Sequence, residues 1–115
     1  MPKVVRAVPI KSKEGLMNLA KGVANRPAKE RKDFLALFGD GVEEWYYQEI
    51  DGKPYIIAVA EGTDLERGYS MYPELQDPFF EWFREQVLEL SNVDLREVPK
   101  AAPSEFVFKL SSADG

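Results

Sequence analysis

Apolar positions along this chain switch between two periods, and the switches mark its elements. Val4, Val5, Ala7, Val8 and Ile10 predict a first strand over Val4–Ile10, interrupted by Arg6, with Pro9 near the end where a lost ladder donor is tolerated. Ser12 suits a helix cap, and Leu16, Leu19, Ala20 and Val23 then recur at i, i+3, i+4 and i+7 as one apolar stripe. Asn25-Arg26-Pro27 breaks or kinks that helix, because Pro27 removes a donor and restricts the residue before it. A second helical piece runs from about Ala28 to Phe38, ending at Gly39, and Asp40-Gly41 turns into a strand over Val42–Ile50. Asp51-Gly52 predicts a hairpin into Tyr55–Glu61. Thr63 and Glu66 have capping-box spacing and open a short helix to about Tyr72. After a loop over Pro73–Pro78, the residues Phe79, Phe80, Phe83, Val87 and Leu90 mark another amphipathic helix. Ser91–Pro103 has no period, and Glu105–Leu110 alternates with Phe106, Phe108 and Leu110 on one side.

Tyr55–Ala60 lacks the polar alternation of an antiparallel strand that meets water on one side, so the expectation is that both its faces are covered. The order strand, doubled helix, strand, strand, helix in two parts, strand is that of a split βαβ unit. It predicts an α+β class, with a ferredoxin-like βαββαβ four-stranded antiparallel sheet, strands one and three central and helices on one face. A single domain over residues 1–115 is expected, with 111–115 as a mobile tail.

A short hairpin loop pairs even positions of the second strand with odd positions of the third. One face then carries Glu44, Tyr46, Gln48, Ile50, Tyr55, Ile57, Val59 and Glu61, and the other Glu43, Trp45, Tyr47, Glu49, Ile56, Ala58 and Ala60. The small Ala58 and Ala60 admit a helix, which assigns the second face to the helices. The first face would leave Tyr46, Tyr55, Ile57 and Val59 in water, near the upper limit of apolar patches on monomers. A homodimer through that sheet face is the expected remedy.

Gly41-Val42-Glu43-Glu44-Trp45-Tyr46-Tyr47, then Tyr55-Ile56-Ile57, then Glu61-Gly62-Thr63-Asp64 carry a family resemblance. The chain resembles an uncharacterised family of domains of unknown function within the dimeric α+β barrel group of ferredoxin-like folds. The resemblance implies two four-stranded sheets packed face to face, and no particular activity. The haem enzymes of that group ligate iron through histidine, and this chain has none. Cofactor-free monooxygenases of the group use Trp, Asn and Arg, and Trp45, Trp82, Arg6 and Asn18 do not match them position by position.

With no histidine and no cysteine among 115 residues, histidine triads, thiolate chemistry, disulfides and most zinc sites are excluded. Chemistry would rest on carboxylates, Lys, Arg, Tyr, Trp, amides or backbone dipoles, and no cofactor or metal is expected. No apolar run is long enough for a bilayer, so no membrane partner is expected. Met1-Pro2-Lys3-Val4 lacks the apolar core of a signal peptide, which makes a cytoplasmic location the expectation. The net charge of −5 conceals nine basic against two acidic side chains in residues 1–32. That surplus is read as a helix lying beside acidic elements. An acidic chain lacking the central-strand aromatics of RNA modules is not expected to bind nucleic acid.

The candidate ligand-binding residues are Arg6, Glu44, Tyr46, Gln48 and Tyr55, a polar and aromatic group expected to line a cavity between the sheet and a partner. A carboxylate in an apolar cavity has a raised pKa and can serve as acid or base. The leading reading is a dimer that binds a small, partly apolar molecule. The alternatives are a cofactor-independent oxygenase or isomerase using Glu44 and Tyr46, and a structural or interaction module. Tyr69, Tyr72 and Trp82 read as core or boundary packing rather than an aromatic site. Gly62-Thr63-Asp64 reads as a turn and cap, and Glu81, Glu85 and Glu89 as a solvated stripe.

Overall fold

The computed structural model describes residues 2–114. Its sheet grows from the Asp51-Gly52 turn. Both residues hold positive φ, 52° and 76°, the geometry that matches the twist of a tight hairpin. The turn joins β2 (Val42–Ile50) to β3 (Lys53–Glu61) with Ile50 opposite Lys53 and Tyr46 opposite Ile57. On the other side of β3 lies β1 (Lys3–Pro9), antiparallel, with Arg6 opposite Ala58 and Val5 opposite Val59. The strand order is β1-β3-β2, so the apolar β3 is central.

Four helices cover one face. In α1 (Lys13–Asn25) the Ser12 hydroxyl accepts the Gly15 N–H at 3.0 Å, and the helix stops at Arg26, held extended by the following proline. The separate α2 (Ala28–Ala36) starts directly after Pro27. A short α3 (Leu65–Met71) runs into a 3₁₀ turn, Tyr72–Glu74. The longest helix, α4 (Pro78–Ser91), begins one residue earlier than its apolar stripe suggests. Pro78 takes the first helical position, and the Asp77 carboxylate caps the Phe80 N–H at 2.9 Å. Thr63 and Glu66 form no capping box: Asp64 is the cap residue, and the Thr63 hydroxyl donates instead to the Gly39 carbonyl at 3.1 Å.

The core lies between sheet and helices. Phe34 and Phe80 are fully enclosed, joined by Phe38, Tyr72, Phe79 and Phe83, with Tyr72 and Phe80 centroids 4.7 Å apart. Each such ring contributes roughly 1.5–3 kcal/mol through burial. From β3, Ile56 and Ala60 are buried, and Trp45 of β2 packs on Phe83 at 5.4 Å. The helix-facing row therefore has the parity read from the hairpin.

The four-stranded ferredoxin-like sheet is not formed. Among the described residues the architecture is a three-stranded antiparallel sheet with four helices, and β1, expected to be central, is an edge strand. Glu105–Leu110, the expected fourth strand, forms no strand and joins no sheet among the described residues. The reason is where the preceding loop delivers the chain. Ser104 donates its N–H to the Val5 carbonyl at 2.7 Å, and the Arg6 guanidinium holds the Ala101 carbonyl at 3.0 Å. Contact is thus made at the middle of β1. An antiparallel continuation would have only Lys3 and Val4 left to pair before β1 ends. Without that strand, the face-to-face barrel of two four-stranded sheets is not the architecture either. Within the expected tail, Ser112–Asp114 forms one 3₁₀ turn, and Gly115, like Met1, lies outside the described residues.

Candidate functional site

Five sequence-derived candidates do not converge. Glu44, Tyr46, Gln48 and Tyr55 share the open face of the sheet, since Gln48 sits opposite Tyr55 and Tyr46 opposite Ile57. Arg6 sits opposite Ala58, on the helix-facing side. The Tyr46 hydroxyl donates to the Glu44 carboxylate at 3.4 Å, and both side chains stand in solvent. None of the five lines the main cavity.

That cavity, of about 380 Å³, lies on the other side of the sheet, between α1, α2, α4 and β2. Its walls are apolar: Leu16, Leu19 and Val23 from α1, Phe34 from α2, and Phe79 and Phe83 from α4. β2 is the one strand that lines it, through Glu43, Trp45 and Tyr47. Ala20 of α1, a small residue, lines the same space as Trp45 and Tyr47.

Two charged side chains reach the cavity. Glu43 is partly buried, and the indole Nε1–H of Trp45, two residues along the same strand face, donates to its carboxylate at 2.7 Å. Burial raises the Glu43 pKa above the ordinary carboxylate range, and the indole hydrogen bond opposes that shift only in part. Nearby, the Tyr69 hydroxyl is pushed up to about 12, by burial first and then by Glu43, with Arg6 pulling the other way. Tyr72 is raised for the same two leading reasons. Arg31 of α2 donates through Nη1 to the Val23 carbonyl at 2.9 Å and to the Arg26 carbonyl. It thereby satisfies the end of α1, where a cation is favoured. Its Nε and Nη2 donate to no protein group among the described residues.

The arrangement can seat an apolar body, with the Glu43 carboxyl group and the Arg31 guanidinium in its lining. The sequence signal for it was a charge out of place: Glu43 stands in the helix-facing row with Trp45 and Tyr47, where an apolar residue would be expected. Among the described residues no group of three or more acidic side chains is placed to hold a metal ion, and no helix is long and apolar enough to cross a membrane. No protein-family model, no curated protein and no solved structure matches the chain.

Proposed function

We propose that this protein binds a small, largely apolar molecule in the cavity between β2 and the helices, with Glu43 as its polar anchor. The observation that carries this reading is the cavity itself. At about 380 Å³ it falls in the range of roughly 300–1,000 Å³ that small-molecule sites occupy, with mostly apolar walls and two charged side chains, Glu43 and Arg31, in its lining. The binding space is within one subunit, on the opposite face from the sheet-and-partner cavity expected from sequence. A fluorescence titration with a neutral apolar probe tests it. Wild-type protein is expected to bind, and Ala20→Trp, which fills the space from an exposed helix position, is expected to lose binding while melting normally. Equal binding by both proteins would refute the site.

A second reading concerns partners: self-association through the sheet. Val42, Tyr46 and Ile50 on the open face of β2 are 56%, 54% and 42% exposed, apolar positions alternating with Glu44 and Gln48 on an edge strand. Sedimentation equilibrium in the micromolar range tests it, with a dimer expected.

A further inference from the structure

Glu105–Leu110 is the least explained segment of the fold. Phe106, Val107, Phe108 and Leu110 are 79%, 79%, 75% and 93% exposed, four large apolar side chains within five residues. The segment has a strand's alternation and no strand partner. The radius of gyration is 15.0 Å, against about 13 Å for a compact domain of this length, as a projecting arm would produce.

The outer edge of β2 has the complementary deficiency. Ile50 and Lys53 close the two-residue turn, so Gln48 and Tyr46 direct their backbone groups to β3, and Glu49, Tyr47, Trp45 and Glu43 direct theirs outward. The Pro54 carbonyl, opposite Glu49, fits this phase because it accepts from Ile10 on the far side. β2 has no proline, and its register with β3 runs without a bulge. It is an edge of nine residues with no strand on its outer side among the described residues.

We infer that the arm Glu105–Leu110 adds as a strand to the outer edge of β2 in a second copy of this chain. This rests on the reading of self-association through the sheet. The arm cannot reach β2 of its own subunit. Its root is held at Val5 of β1, the opposite edge. The outer side of β2 is about 15 Å away across the sheet, and six extended residues span only about 20 Å, so crossing would leave nothing to pair. In a second copy there is no such limit, and a two-fold axis lets each arm serve the other subunit.

Side-chain parity fits one orientation of faces. Phe106, Phe108 and Leu110 fall on the open face, where the arm is long enough to lie beside three successive positions of β2, Tyr46 with Val42 or with Ile50 among them, and to cover those apolar groups. Val107 and Lys109 then fall on the other face, beside the row that holds Glu43, Tyr47 and Glu49. Two of the three glutamates of β2, Glu43 and Glu49, lie on that face, which offers Lys109 an opposite charge, with Glu105 at the far end of the arm on the same face. Val107 would come to lie at the margin of the cavity, which makes the partner copy part of its wall.

Sedimentation equilibrium of the full chain, with the Val107→Pro and Tyr46→Asp variants, tests the inference. Val107→Pro removes a ladder donor from the arm and leaves the body of the fold untouched; Tyr46→Asp puts a charge where Phe106 and Phe108 would pack. Both are expected to weaken the dimer by about tenfold or more, with unchanged melting of the monomer. Monomeric wild-type protein throughout the micromolar range would overturn self-association and this inference together. A dimer insensitive to Val107→Pro would overturn the arm alone. A dimer broken by Val107→Pro but not by Tyr46→Asp would overturn its placement on β2.

Discussion

Trp45 donates its indole N–H to the Glu43 carboxylate at 2.7 Å from two positions along the same face of β2. The pair joins the core to the cavity, because the Trp45 ring packs on Phe83 while the carboxylate faces the apolar space. Glu43 is therefore held in place by a donor that cannot neutralise it, and burial still raises its pKa.

That raised pKa has a signed consequence. The folded protein holds the Glu43 proton to higher pH than the unfolded chain does, so Glu43 costs stability as pH rises from the unfolded carboxylate pKa through the folded one. Glu43→Gln keeps an acceptor for Trp45 and removes the ionisation. It is expected to melt higher than wild type at pH 7, with the difference closing toward pH 4. Calorimetric melts at a series of pH values check this; a lower melting temperature for Glu43→Gln at pH 7 would contradict it.

Asp94 should behave in the opposite sense. Arg84 grips it through Nε and Nη2, both at 2.9 Å, and the Arg96 backbone N–H adds a third bond, which holds its pKa below the usual value. Its contribution is present above the unfolded pKa and is lost as pH falls through the folded one. Asp94→Asn is expected to cost about 1 kcal/mol at pH 7, because the pair is partly exposed and screened, and to cost nothing in strong acid. Urea unfolding at neutral and acid pH measures the difference.

The hairpin and the arm show what was legible from sequence. Asp51-Gly52 is a local signal, and a two-residue turn fixes the whole register of β2 on β3, so the helix-facing parity of Trp45, Ile56 and Ala60 followed from it. Glu105–Leu110 has an equally clean alternation, but pairing with β1 depends on where an irregular loop with two prolines meets that strand. It meets it at Val5, and no local pattern reports that. The cavity was hidden for a related reason. It is the space left between packed elements, and the charge of Glu43 alone does not report it, since Glu49 stands in the same row without lining the cavity.

Gly52 tests the hairpin directly. A Cβ there meets no atom within 4 Å, so the cost of Gly52→Ala is that of holding an L-residue at φ 76°. About 1–2 kcal/mol is expected, and Gly52→Asn should cost less, since Asn tolerates this region. Equilibrium denaturation of the two variants should rank them in that order.

Two helical glycines should respond differently to the same substitution. Replacing either by alanine gains up to about 1 kcal/mol of helix propensity. At Gly68 of α3 the new Cβ would stand 2.2 Å from the ring of Phe38, which is buried and wedged against Tyr69 and Tyr72. The ring has no room to move, so Gly68→Ala is expected to destabilise by about 1–3 kcal/mol net. At Gly22 of α1 the clash is with the six-membered ring of Trp82, at 2.5 Å. Trp82 is only partly buried and sits at the surface under Arg26, whose guanidinium lies 5.3 Å from the ring. It can swing outward, so Gly22→Ala should be near neutral. Urea unfolding compares the two, and a Gly22→Ala cost as large as that at Gly68 would mean that Trp82 is held as firmly as the core.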